Sequence, residues 1–322
     1  MLPFYCVFAV VFLTLAAALL PCLGQTVYLP GTEIYTLRFF RTLLALIAGG
    51  GLALCGLVFQ ATFRNPLATP YTLGVASGAA FGAALCLQTT VRLGLPMMLA
   101  LPSVIGVPAI TFGAFAGAVL AMGIVFALSL HKDASSEQML LAGVAVNFFF
   151  SSMIVLLQYL SAPHDAFQIL RWTMGGVQNA AGRDCILLVP ITAVLFGYLI
   201  FQSRTLNVFV TGQERAMSLG VNVIRFRMVL FVMTSLTVGG IVSVTGPIGF
   251  VGLMIPHIAR LILGPDHRRL IPATAVLGAL FLGVCDTLGR CLFYPAELPV
   301  GIITSLLGGP FFLWLLLRRN TS

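Results

Sequence analysis

Long apolar runs recur along the whole chain, with little polar sequence between them. Residues 43–58 and 75–87, for example, carry no ionisable group other than a cysteine thiol. Only 8% of the 322 residues are charged, 59% are hydrophobic, and the mean hydropathy is +1.06. A soluble domain carries roughly 25% charged residues, so this chain cannot cover a water-facing surface. The bilayer is its solvent. A spanning helix needs about 20 apolar residues, which leaves room for about ten spans and little else. The sequence therefore predicts an all-α, polytopic integral membrane protein forming a single transmembrane domain over residues 1–322.

The ten expected spans are residues 2–23, 36–63, 71–90, 109–130, 139–160, 185–201, 228–244, 248–263, 271–288 and 300–317. The first lacks a basic leader and is too long for a signal core, so it reads as a span rather than a cleaved peptide. The second is longer than a bilayer requires and is expected to tilt or project. Residues 95–108, punctuated by Pro96, Pro102 and Pro108, read as a re-entrant or interface-lying loop. Residues 161–184 are too polar to span, but 167–172 fit a short interfacial helix anchored by Trp172.

Ten spans put both termini on one side. Loops on that side hold eleven lysines and arginines, against six on the other. The positive-inside rule then places both termini in the cytoplasm of a cell with this protein in its inner (plasma) membrane. The net charge of +8 is accounted for by this scattered topological charge, not by a nucleic-acid patch. The seven cysteines form no C-x-x-C pair and lie mostly within apolar runs, as small apolar residues do.

Several chemistries are excluded. The single lysine, Lys132, follows His131, so no phosphate-binding G-x-x-x-x-G-K-[ST] loop exists, and this chain does not itself hydrolyse ATP through one. The four histidines show no H-E-x-x-H spacing, and no metal or cofactor site is expected. Asp286 lies four residues before Arg290, a spacing that suits a mutually neutralising pair on one helix face; a proton relay is the alternative. Few other acidic groups fall within spans, which argues against an ion-gradient-driven secondary transporter. His257, beside Pro256, reads either as a hydrogen-bonded structural histidine at a broken helix or as a direct substrate or metal contact.

Two polar stretches are more informative. Residues 59–75 interrupt two apolar runs with Arg64, Asn65, Pro66 and Pro70, and two prolines four apart cannot sit inside one undisturbed helix. The chain must stop there, turn and re-enter an apolar environment. The second stretch lies within the polar segment 204–227: residues 214–219 read as a short helix bracketed by glycines. Its Ala216, Met217 and Leu219 offer an apolar surface, either against the protein's own body or as a peg for another subunit.

Gln60, Arg64-Asn65-Pro66-Leu67-Ala68-Thr69-Pro70 and Leu73-Gly74-Val75-Ala76-Ser77-Gly78-Ala79 resemble the hallmark of the FecCD family. These are the membrane permeases of type II ABC importers for iron–siderophores, haem and vitamin B12. Leu141-Ala142-Gly143-Val144-Ala145, Trp172-Thr173-Met174-Gly175-Gly176, residues 246–257 (Gly246-Pro247-Ile248-Gly249-Phe250 onward) and Glu297-Leu298-Pro299-Val300-Gly301 follow in the family's order. The resemblance implies a fold like the vitamin B12 importer permease, working as a homodimer with two ATP-binding-cassette ATPase subunits, a periplasmic or lipoprotein substrate-binding protein, and lipid around it.

The resemblance also implies residue roles. Arg38, Arg41 and Arg290 match arginines that pair with glutamates of the binding protein. Gly212, Glu214, Arg215, Ala216, Met217, Ser218, Leu219, Gly220, Val221 and Asn222 match the coupling helices that sit in a cleft of the ATPase. Asn65 and Leu67 match one cytoplasmic gate, and Ser136 and Glu137 a second, where Glu137 departs from the small polar residue of the family pattern. Asn147 and Ser151 fall on the expected pathway, lined by the fifth and tenth spans. Residues 95–108 make the outer loop longer than in the vitamin B12 permease. An iron complex is the expected cargo, with cobalamin or haem as the alternative.

Overall fold

The computed structural model describes residues 12–23, 32–92, 109–129, 136–178, 180–292 and 296–319. The loop at 95–108, the polar run 131–135 and the first part of the first span lie outside the described residues. Those described form helices and connecting loops only.

Ten apolar helices appear where ten spans were expected. They are α1 (Phe12–Cys22), α2 (Glu33–Phe63), α3 (Val75–Arg92), α4 (Ala109–Ser129), α5 (Ser136–Tyr159), α7 (Gly182–Phe201), α10 (Val223–Thr245), α11 (Val251–Leu263), α12 (His267–Cys291) and α13 (Val300–Arg319). Six of them, α2, α4, α5, α7, α10 and α12, are long and apolar enough to cross a membrane; α1, α3, α11 and α13 contain shorter apolar helical stretches. Three further helices are short: α6 (Pro163–Thr173), α8 (Ser203–Val210) and α9 (Gln213–Ser218). The helix α6 was expected, but its Trp172 is partly buried against the cluster that holds Ile154 and Ile169, and Phe167 and Leu170 are the exposed apolar residues. The helix α8 was not expected. Its apolar face, with Leu206 and Phe209 buried, lies inside a segment that is polar in overall composition.

The centre of the bundle is α2. Thr32 caps its start by accepting from the Tyr35 N–H, and Arg64, in the left-handed region at φ 49°, ends it. At about 1.5 Å per residue its 31 residues reach about 46 Å, longer than the hydrocarbon layer. Nearly every residue from Arg41 to Phe63 is buried. It packs on α12, α11, α10 and α7.

Small residues let these helices approach closely. A side chain at Gly56 would collide with the Gly252 carbonyl of α11, and one at Gly278 of α12 would lie 2.5 Å from the Gly49 carbonyl of α2. The pair α3 and α4 repeats the device: Gly78 faces Gly117, and Gly82 faces Gly113. Without water to drive association, backbone proximity and dispersion hold such crossings together. In contrast α5 is sparsely covered, with Leu141, Phe148, Phe149, Val155, Leu156 and Tyr159 exposed.

Candidate translocation and docking sites

At one end of the bundle, α2 and α12 bring charge together. Arg41 Nε donates to Asp286 Oδ1 at 2.8 Å, and Arg41 Nη1 donates to Glu297. Arg290 Nε lies 3.3 Å from Asp286 Oδ2, so the i,i+4 pair is present. Arg290 Nη2 also donates to Thr287 Oγ1 at 3.0 Å and to the Leu20 carbonyl at 3.3 Å. Asp286 is 1% exposed, Arg41 7% and Arg290 5%. The placement differs from an open cationic rim. Two of the three arginines expected to meet a binding protein are turned into the protein, because a buried carboxylate needs its counter-charges close by. Glu297, by contrast, is half exposed. Arg38 is partly buried one turn before Arg41.

At the other end of α2 the proline-broken stretch is an ordered loop. Asn65 Oδ1 accepts from the Leu67 N–H at 2.9 Å, so its side chain shapes the turn. Thr69 and Thr72 clamp each other, each hydroxyl accepting from the other's backbone N–H at 3.1 and 2.9 Å. Leu67 is exposed at the tip. The loop then dips against α5. Gly74, at φ +77°, leaves no room for a side chain beside Val146 and the Asn147 N–H, and Gly143 packs on Leu73. The structure thus brings the stretch holding Asn65 and Leu67 against the helix holding Asn147 and Ser151. Both of those lie half-buried beside the exposed apolar stripe of α5. Ser136 and Glu137 open α5; their side chains lie outside the described residues.

A further clamp had no expected role. Pro256 lacks the N–H that would bond the Gly252 carbonyl one turn back in α11. Gln60 of α2 fills the gap: its Nε2 donates to Gly252 O and Leu253 O, both at 3.2 Å, and Arg260 Nη2 donates to Gln60 Oε1 at 3.0 Å. The proline signalled an orphan carbonyl, but nothing in the sequence named a donor almost 200 residues away. At the head of α11, Phe250 adopts φ +66°, unusual for a bulky residue. Its ring occupies a notch that any side chain at Gly308 of α13 would fill. The ring of His257 meets Phe311 of α13 edge-on, with centroids 6.4 Å apart.

On the face with the loop 202–227, α9 is one turn of helix between Gly212 (φ 138°) and Gly220 (φ 82°). Its apolar surface divides differently from expectation. Ala216 is fully buried against the protein's own body, whereas Met217, Leu219 and the following Ile224 are exposed. Glu214, Arg215 and Ser218 are exposed around them, and Asn222 Oδ1 caps α10 by accepting from the Arg225 N–H at 3.0 Å. Val221 returns the chain to the body through its N–H on the Ala216 carbonyl.

Just before α9, Asn207 of α8 joins the head of α12. Its Nδ2 donates to Asp266 Oδ1 at 2.7 Å, and its Oδ1 accepts from the His267 N–H at 2.9 Å and faces His267 Nδ1 at 2.7 Å. The Asn207 amide, then the Arg268 N–H, hold the Asp266 carboxyl below the usual carboxylate range, with Arg268 and Arg269 adding to the effect. No motif pointed to Asn207.

A helical bundle that carries its charges at its two ends, and its half-buried polar groups along one open helix, is that of a multi-pass membrane transport protein. The chain's residues 2–318 match the FecCD transport family. It is 40% identical to the hemin transport system permease protein HmuU of Yersinia pestis, over 88% of this chain and 83% of that protein. It is 37% identical to the vitamin B12 import system permease protein BtuC of Escherichia coli O6:H1, over 96% and 94%. To the Fe(3+) dicitrate permease FecC of Escherichia coli K12 it is 34% identical, over 94% and 88%. A metal-chelate type ABC transporter solved in an inward-facing conformation superposes with a TM-score of 0.84 and 28% identity, covering 99% of this chain and 100% of that one. The chain belongs to the FecCD transport family and is the permease subunit of a type II ABC importer.

Proposed function

We propose that this permease imports iron held in an organic chelate across the inner (plasma) membrane, with both termini in the cytoplasm. In this reading two copies pair along the exposed stripes of α5 and α13, and the cargo passes between them. Two ATPase subunits grip the residue 212–222 segments, and an external binding protein delivers the cargo. The observation that carries the reading is the open face of α5, where apolar residues lie beside Asn147 and Ser151, in a member of this family. Cargo selection would lie with the binding protein, because no charged or metal-ligating group lies along that stripe among the described residues.

A tetrapyrrole, haem or cobalamin, is the second reading. It is favoured by the 40% identity to a hemin permease and by exposed Phe148, Phe149 and Tyr159, which suit a flat apolar ring. Proteoliposomes holding the permease, its ATPase and its binding protein test both. Uptake of a ferric siderophore, hemin or cyanocobalamin should need internal ATP and the ATPase chain. Uptake by the permease alone under an ion gradient would overturn the importer reading, and competition among the three probes ranks the cargo.

We assign the contact with the binding protein first to Arg38, with Arg41 and Arg290 adding positive potential from behind it. Rim charge acts mainly on encounter and orientation. Met217, Leu219 and Ile224 would be the apolar part of the ATPase contact, with Glu214 and Arg215 at its edge. Asn65 and Leu67 would narrow the inner mouth, with Ser136 and Glu137 on the facing side.

A further inference from the structure

The short helix α9 cannot fix its own position. It has a single turn, glycine hinges at both ends and, among its described side chains, one that is fully buried. What holds it is α8, which ends at Val210, two residues before the Gly212 hinge, and buries Leu206 and Phe209. Apolar contacts of this kind hold α8 down but let it slide. The contact that sets its register is Asn207.

Both ends of the Asn207 carboxamide are engaged. A backbone N–H only donates, so the atom facing His267 N is the carboxamide oxygen, and the same oxygen requires the imidazole proton to sit on Nδ1. The amide's other end donates to Asp266, which also accepts from the Arg268 N–H at 3.1 Å. This matters because Pro272 cannot bond the Arg268 carbonyl, so the first turn of α12 lacks part of its own ladder. The head of α12 is secured from α8.

From there α12 runs 25 residues, about 37 Å, along α2. Close approaches at Gly49–Gly278 and Gly50–Ala275 fix the two helices to each other. The far end carries Asp286, which pairs with Arg290 of its own helix and holds Arg41 of α2, which in turn holds Glu297. One rigid pair of helices thus connects the two faces of the molecule.

We propose that Asn207 is a positioning residue for transport. It fastens the ATPase-facing α8–α9 unit to α12, so that movement of that unit reaches the charge cluster on the opposite face, and occupancy of that face reaches the ATPase. The inference rests on the assignment of residues 212–222 to the ATPase contact. It adds the joint behind that contact and the helix that carries its displacement.

The test uses the complete complex of permease, ATPase and binding protein in nanodiscs. The readouts are the ratio of ATPase activity with and without binding protein, and cross-linking of Met217→Cys to a cysteine in the ATPase cleft. Asn207→Ala, and the isosteric Asn207→Asp, which sets a carboxylate against Asp266, should each lower the ratio about 5-fold or more, a fold-change of the size typical for coupling between sites. Thr205→Ala removes a hydrogen bond within α8, to Gln202, that does not reach α12; it should leave the ratio as it is. The cross-link should form in every variant. An unchanged ratio in both Asn207 variants with the cross-link intact overturns the joint alone, as does an equal loss in Thr205→Ala. No cross-link in the otherwise wild-type complex overturns the joint together with the contact assignment it rests on.

Discussion

Asp286 is a single carboxylate serving two guanidiniums from different helices, out of reach of water. Removing one partner of a buried ion pair typically costs about 3–5 kcal/mol, because the remaining charges stay buried. Asp286→Ala should therefore lower the permease's melting temperature far more than Arg38→Glu, read by fluorescence-detected size exclusion after heating. Arg38→Glu should instead weaken binding-protein association and make it more salt-sensitive. The same substitution at Arg41 would mix both effects and is the poorer test. Gln60→Leu strands the Gly252 carbonyl and the Arg260 guanidinium, at a cost of about 1–3 kcal/mol in the same melting assay. Asp266 adds a pH signature. Its carboxyl is depressed in the folded state, so its contribution is present above the unfolded value near about 4 and is lost as pH falls through the lower folded value. The melting difference between wild type and Asn207→Ala should be largest at neutral pH and shrink below about pH 4. The sequence showed the Asp286–Arg290 spacing, since both lie on one helix. It did not show Arg41 as the third member, 245 positions from Asp286, because that pairing exists only once α2 and α12 cross.

The apolar runs were legible at the scale of helices because each spanning segment must satisfy its own backbone, and that fixes its length and leaves few places to stop. Prolines and charges marked those stops, as at Pro66 and Pro70. The short helices were harder. In α9 a six-residue turn gives no periodicity from which to tell its inner side from its outer, so Ala216 and Met217 read as one surface although only Ala216 is buried. In α8 the buried Leu206 and Phe209 are three apart, a helical spacing too brief to stand out beside Arg204 and Asn207. Contacts between helices depend on glycine at chosen points, and these can be tested. Gly56→Ala sets a methyl group into the Gly252 carbonyl and should abolish accumulation of folded permease in membranes. Gly197→Ala on α7, where the added methyl meets nothing, should be neutral or stabilise by up to about 1 kcal/mol.

The whole molecule divides by how tightly its helices are held. The helices α2, α10, α11 and α12 are joined by glycine crossings, the Gln60–Arg260 clamp and the charge cluster. The helix α5 is open along its length, and α13 touches the rest mainly at α12, α11 and the Phe250 notch. A permease that alternates between two accessible faces needs such a division, a frame that keeps its shape and pathway helices that change theirs. Hydrogen exchange on the reconstituted complex should show slow amides across α2 and α12 and faster ones on α5 and α13, with ATP altering the second group.

The same crossings decide where a probe can be attached. Most glycines in the frame accept no side chain, but outside it Gly123 on α4, Gly197 on α7 and Gly309 on α13 each look onto open space. Spin labels on cysteines at those three positions leave the bundle undisturbed. If two copies meet along α5 and α13, labels at 309 will report a short distance between copies and labels at 197 a long one. The ruler for the assembly is thus already set into the helices by the few glycines that pack against nothing.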